Sequence, residues 1–228
     1  MAIVVVGGQT RNIGKTSVVA GLIAALPERR WTAFKITQFG HGICSANGKP
    51  CDCDTGPHTI AISEERDQAS RTDSARFLAA GAVHSFWVRT RQGQLADAMP
   101  HIRKKLAVAT NAIIESNSIL GFLEPDLYLT VLDPTNHDFK ASAELFLEHA
   151  DAVLWSATGL GIMTAWPDGL LELARNKPQF FLEPPAYTSD DLAQFVAQRL
   201  QDQHGETLVN MEFHNSDDPD GNRMSFKR

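Results

Sequence analysis

From Val6 onward the chain reads Val6-Gly7-Gly8-Gln9-Thr10-Arg11-Asn12-Ile13-Gly14-Lys15-Thr16-Ser17, directly after a run of β-branched residues. Glycines here let the backbone turn tightly enough for several N–H groups to converge on one anion. In such a loop the residues Gly8, Gln9, Thr10, Arg11, Asn12, Ile13 and Gly14, with Lys15, Thr16 and Ser17 opening a helix, surround phosphate oxygens at the positive end of the helix dipole. Lys15 is expected to reach the β- and γ-phosphates, and the Thr16 hydroxyl to ligate Mg²⁺. Five residues separate Gly8 from Gly14, one more than in the common GxxxxGK[ST] loop, and Gln9 stands where the first glycine is usual. The ligand class this loop predicts is a nucleoside triphosphate. No NKxD segment follows any late strand, so ATP and GTP both stay open.

Three further residues have types suited to phosphate chemistry. Glu115 ends the short apolar run Ala112-Ile113-Ile114, where an acid can hold Mg²⁺ or orient an attacking group. Lys35 stands near the end of another apolar run and either meets phosphate or snorkels to solvent. Asp73 opens a helical stretch, where it either approaches Mg²⁺ or simply favours the helix dipole. Gly8, Lys35 and Glu115 are expected beyond the carboxyl ends of strands, where open α/β sheets collect ligands, and Asp73 reaches them if its helix packs over the phosphate loop.

The three cysteines of the chain, Cys44, Cys51 and Cys53, fall within one ten-residue window. With His41 they read H-x₂-C-x₆-C-x-C, and His58 competes with His41 for the fourth place. Three thiolates and an imidazole suit tetrahedral Zn²⁺, which would staple a long loop rather than catalyse, because four ligands leave no open position. Unpaired surface cysteines are the plainer alternative, and a strained Cys-x-Cys disulfide the weaker one.

These residues need elements to hold them. Ala2–Val6, Trp31–Thr37, Val83–Thr90, Ala112–Glu115, Leu127–Leu132, Ala152–Trp155 and Gln179–Leu182 read as strands. Helical periods cover Thr16–Leu26, Thr72–Ala80, Leu95–Val108, Ala141–His149, Asp168–Ala174 and Ser189–Leu200. Alternation of this kind implies an α/β fold, a mostly parallel sheet with helices on both faces. The expected organisation is a nucleotide-binding domain over 1–200 with a cysteine-bearing insertion at 38–71, then a tail at 201–228 with a strand-like Leu208–Phe213. The four tryptophans lie mainly on strands and are expected in the core.

Parts of the chain resemble known families. Gly8–Thr16 is similar to the GTDTxxGKT loop of dethiobiotin synthetases, which also has five intervening residues. Asp73-Ser74-Ala75-Arg76-Phe77-Leu78-Ala79-Ala80-Gly81-Ala82 resembles the DSxRxxxAGA segment of the molybdopterin-guanine dinucleotide biosynthesis protein B family. The order of phosphate loop, lysine strand, Asp-Ser helix and glutamate strand matches that family over about residues 2–118, with Ile36 in place of its histidine and Glu115-Ser116 in place of its Glu-Gly. The resemblance implies a SIMIBI-class P-loop NTPase, the class that includes nickel-insertion GTPases. It implies assistance to metallo-cofactor assembly with a partner enzyme, and a homodimer. A kinase or carboxylate ligase of the dethiobiotin-synthetase kind, and a nucleotide-binding regulator with a metal-sensing loop, are the other expectations.

Composition narrows the classes further. With 43% apolar and 21% charged residues, the chain has the means to build a substantial core. A net charge of −6 argues against a nucleic-acid partner. No apolar run approaches the ~20 residues of a membrane span, and the start lacks a basic signal-peptide region, so the expected location is the cytoplasm.

Overall fold

The computed structural model describes residues 1–39, 59–156, 166 and 169–212. The expected α/β fold is what forms. Among these residues, eight strands build one sheet in the spatial order β3-β4-β2-β5-β1-β6-β7-β8. The strands are β1 (Ile3–Gly8), β2 (Trp31–Phe39), β3 (Ile60–Glu64), β4 (His84–Arg91), β5 (Asn111–Glu115), β6 (Leu127–Leu132), β7 (Ala152–Ser156) and β8 (Gln179–Leu182). Every pairing is parallel except that of β3 with β4.

β1 is central because its residues are apolar on both sides. Val4 and Val6 pack on one face with Val18, Val19, Leu22 and Ile23 of α1 (Lys15–Ala25). On the other face Val5 packs with Met99 and Ile102 of α3 (Leu95–Leu106). α2 (Asp73–Ala79) and α6 (Asp190–Glu212) lie on the α1 side, Leu192, Val196 and Leu200 of α6 joining that core. α4 (Ala141–Phe146) and α5 (Leu170–Arg175) follow β6 and β7. A helix apolar around its girth, such as α1, needs this double cover.

Two expectations need correction. The stretch 38–71, read as lacking strong period, contains β3, a short antiparallel edge strand on which Ile60 and Ile62 alternate with small or polar residues. Of the stretch Leu208–Phe213, expected to be strand-like, Leu208–Glu212 belong to α6, which runs on past residue 201. Gly205 does not stop it, since one interior glycine costs a helix only about 1 kcal/mol. Among the described residues no helix is long and apolar enough to cross a membrane.

β1 has β5 on one side and β6 on the other, while the chain leaving β1 passes to β2 beyond β5. The sheet therefore opens a crevice at the carboxyl end of β1, the place where doubly wound sheets bind ligands.

Candidate nucleotide site

The loop after β1 turns through Asn12 at φ 60° and Gly14 at φ 95° before α1 begins. Gly14 is needed twice over. Its backbone is left-handed, and a Cβ there would stand 2.6 Å from Cε1 of Tyr187, whose ring lies against the loop.

Neighbouring strand ends hold the loop. The Asn117 side chain, just after β5, accepts a hydrogen bond from the Gly8 N–H (2.7 Å) and donates one to the Gly8 carbonyl (2.9 Å). It thereby continues the β1–β5 pairing beyond the last backbone register. Nothing in an Asn after a strand singles it out in sequence, so this residue was not among those expected. Asn117→Ala should destabilise the fold by about 1–2 kcal/mol by leaving both Gly8 groups without these partners. A urea titration reads this directly, and an unchanged midpoint would refute it.

Gln9 is fully buried and spends its side chain within the protein. Its Nε2 donates to the Asn136 carbonyl (2.6 Å), and its Oε1 accepts from the Asp133 N–H (2.8 Å). Gln9 thus ties the phosphate loop to the segment after β6, where Thr10 also donates to Asp138 (2.6 Å). Ile13 is buried in the α1 core, and Arg11 and Asn12 line the cavity described below.

Lys35, Asp73 and Glu115 converge on Thr16. Register places Lys35 of β2 directly beside Glu115 of β5. The Lys35 Nζ lies 2.5 Å from Glu115 Oε1, 2.9 Å from Asp73 Oδ2 and 3.1 Å from Thr16 Oγ1. Thr16 in turn donates to Glu115 Oε2 (2.8 Å). Burial on its own pushes Lys35 down, but the two carboxylates outweigh it and hold its pKa above the ordinary value.

α2 sets the position of Asp73. Thr72 caps the helix, accepting from the Ala75 N–H (3.1 Å), and donates to Glu65 (2.7 Å), which also accepts from Ser74 (3.1 Å). The Thr72 hydroxyl and the Asp67 N–H hold the Glu65 carboxyl down at about 2. Arg76 on the next turn donates to Ser17 of α1 (2.8 Å), joining α2 to the phosphate helix.

Lys15 bends back to donate to the Thr10 carbonyl (2.5 Å). Burial lowers its pKa to about 8 against the pull of Glu115, with help from Lys140, Lys35 and Arg11. Lys140, after β6, is lowered to about 8 by burial and then by Arg11, and its N–H donates to the Gln9 carbonyl (3.0 Å). Lys140 was another unexpected member, since nothing in a polar strand-to-helix loop marks it. Four cationic side chains, Arg11, Lys15, Lys35 and Lys140, face one space.

That space is a cavity of about 1150 Å³ lined by the phosphate loop, the ends of β2, β4 and β5, and the starts of α2 and α4. Trp87 borders it, with its Nε1 donating to Thr37 (3.0 Å). The expectation that the tryptophans belong to the core therefore holds for Trp31, Trp155 and Trp166, which are buried, but not for Trp87. The residues expected to hold zinc, His41, Cys44, Cys51, Cys53 and His58, lie outside the described residues.

A mostly parallel sheet whose first strand feeds a Gly-Lys-Thr loop, with a buried acid at the neighbouring strand end, defines a P-loop nucleotide-binding protein. No family model matches the chain, and no curated protein matches it in sequence. Among solved structures, LpxK from Aquifex aeolicus in complex with ATP is similar at 16% identity and a TM-score of 0.46. That match covers 79% of this chain and 53% of LpxK, so the chain spans about half of the latter's length. HypB from Helicobacter pylori in complex with nickel is 12% identical over 87% of each chain, with a TM-score of 0.43. MobB from Bacillus subtilis is 16% identical over 87% of this chain and 98% of that one, with a TM-score of 0.36. The P-loop assignment rests on the geometry of this chain.

Proposed function

We propose that this chain is a Mg²⁺-dependent P-loop NTPase. The observation that carries the reading is the meeting of Lys15, Thr16, Lys35, Asp73 and Glu115 around one cavity at the carboxyl end of β1. Thr16, Glu115 and Asp73 offer hard oxygen donors, the kind Mg²⁺ takes, so the residues present fit that ion. Bound there, Mg²⁺ would supply charge neutralisation on the phosphates. Lys15 and the loop N–H groups hold the phosphates, and Lys140 and Arg11 add positive charge around them.

The resemblance to the molybdopterin-guanine dinucleotide family supports a role in metallo-cofactor assembly with a partner enzyme and a two-fold partner chain. The cavity favours a second reading. Sites for one small ligand run to roughly 300–1,000 Å³, and this cavity reaches past the phosphate loop to Thr37, Gln38, Trp87 and Gln92. That leaves room for an acceptor, as a kinase or carboxylate ligase needs.

A binding panel of ATP, GTP and CTP, with and without Mg²⁺, tests the common part: the protein should bind at least one of them. Turnover that only a partner protein stimulates supports the assembly role, and turnover that only a small acceptor releases supports the second reading. Elemental analysis in the same preparation should find about one zinc per chain if the cysteine loop is a staple. Cys51→Ser with Cys53→Ser should remove it, and unchanged metal content would remove the zinc proposal.

A further inference from the structure

We propose that the Lys35 ammonium is a tethered stand-in for the divalent cation, occupying its place until the metal arrives with nucleotide. The inference rests on the nucleotide reading above and goes one step past it. The three oxygens that touch the ammonium come from three separate elements: Glu115 at the end of β5, Asp73 at the start of α2 and Thr16 in the first turn of α1. They belong to the same three residues that the nucleotide reading assigns to a hard cation. One position cannot hold both.

Charge explains why a stand-in is useful. Glu115 is 4% exposed in its side chain and Asp73 42%, so at least one carboxylate would be costly to leave bare in the empty site. Lys35 cancels one of the two negative charges. A divalent ion would cancel both, and the ammonium, on its flexible four-carbon stem, is then free to turn to a phosphate. Two consequences follow. The empty protein should take up divalent metal poorly on its own. It should also bind nucleotide without metal better than a variant lacking Lys35, because Lys35 supplies the missing positive charge.

Mn²⁺ serves as the probe, since its free aqueous ion gives an electron paramagnetic resonance signal that disappears on binding. Without nucleotide, Lys35→Met and Lys35→Gln should each bind about one Mn²⁺ per chain. Their affinity should exceed that of the wild type by about tenfold or more, and adding Glu115→Gln to either should abolish the gain. Mn²⁺ should raise the melting temperature of both single variants and leave that of the wild type unmoved. Equal Mn²⁺ affinity in wild type and variants would overturn the proposal, as would a folded variant that binds none. Should neither variant fold alone, refolding on addition of Mn²⁺ supports the proposal and failure to refold overturns it. The Mn²⁺ arm uses no nucleotide, so a protein that fails the nucleotide panel loses the NTPase reading while this result still stands or falls separately.

Discussion

Lys35→Met is expected to destabilise the metal-free, nucleotide-free fold by about 3–5 kcal/mol, a larger effect than removing any exposed charge of this chain. The reason is the partner left behind. Glu115 is buried between β2 and β1, and without Lys35 its remaining partner among the contacts described is the Thr16 hydroxyl. Lys15 attracts this carboxylate with no hydrogen bond to it among the contacts described, and a buried carboxylate stripped of its hydrogen-bonded counter-charge is among the few single defects large enough to unfold an ordinary domain.

Two controls separate this from lost packing. Lys35→Met combined with Glu115→Gln removes both charges, and should recover most of the loss because neutral groups of similar size fill the same volume. Asp73→Asn should cost under about 1 kcal/mol, since its carboxylate is partly solvated and screened. Urea midpoints at neutral pH read all three. The ion pair raises the Lys35 pKa above 10.5, so its stabilisation is fully present below that value. It fades only as the pH climbs through the raised pKa. A loss below about 1 kcal/mol for Lys35→Met would show that the pair is not what holds these strand ends together.

How far the sequence reveals this site depends on whether a residue's role is local. Gly14-Lys15-Thr16 after a β-branched run specifies strand, turn and helix from neighbours alone, and Lys35 and Glu115 each read as polar ends of apolar runs. Lys35 and Glu115 meet once parallel strands put carboxyl ends on one edge, whereas Asp73 joins them from the start of α2, which no strand pattern places there. Asn117 and Lys140 are different. Their importance comes from β5 and β6 flanking β1, an adjacency between segments more than a hundred residues apart that no local pattern encodes. Gln9 was legible as part of the loop, but its commitment to Asn136 and Asp133 depends on the same adjacency. β3 escaped notice for a related reason. Five partly exposed residues carry too little alternation to stand out, and their strand identity comes from pairing with β4. The strand-like Leu208–Phe213 failed oppositely, since a short apolar stretch reads differently without the helix that leads into it, and Leu208–Glu212 continue α6.

Lys15→Met should separate binding from stability, moving them in opposite directions. Removing the ammonium takes away a charged contact to phosphate, and nucleotide affinity should fall about 100-fold. The empty fold should become more stable. Burial holds the Lys15 pKa near 8, below the 10.5 of the unfolded chain, so at neutral pH the folded protein carries a charge it disfavours. A shift of this size corresponds to roughly 3 kcal/mol, and loss of the bond to Thr10 offsets part of it, leaving a net gain of about 1–2 kcal/mol. The sign can be checked in the wild type. Between pH 8 and 10.5 the unfolded chain holds the Lys15 proton more than the folded one does, so the contribution of this group to stability rises with pH across that window. Nucleotide affinity should move the other way, dropping above pH 8 as the free protein loses protons from Lys15 and Lys140 that phosphate binding must restore. Isothermal titration across that range should show affinity falling by up to about tenfold per pH unit for each lysine, and a shallower slope in Lys15→Met. A variant that binds nucleotide as well as the wild type does would mean the loop after β1 is not a phosphate site. One that loses binding with no gain in empty-state stability would mean that burial of Lys15 is relieved locally, by water or by the Thr10 carbonyl.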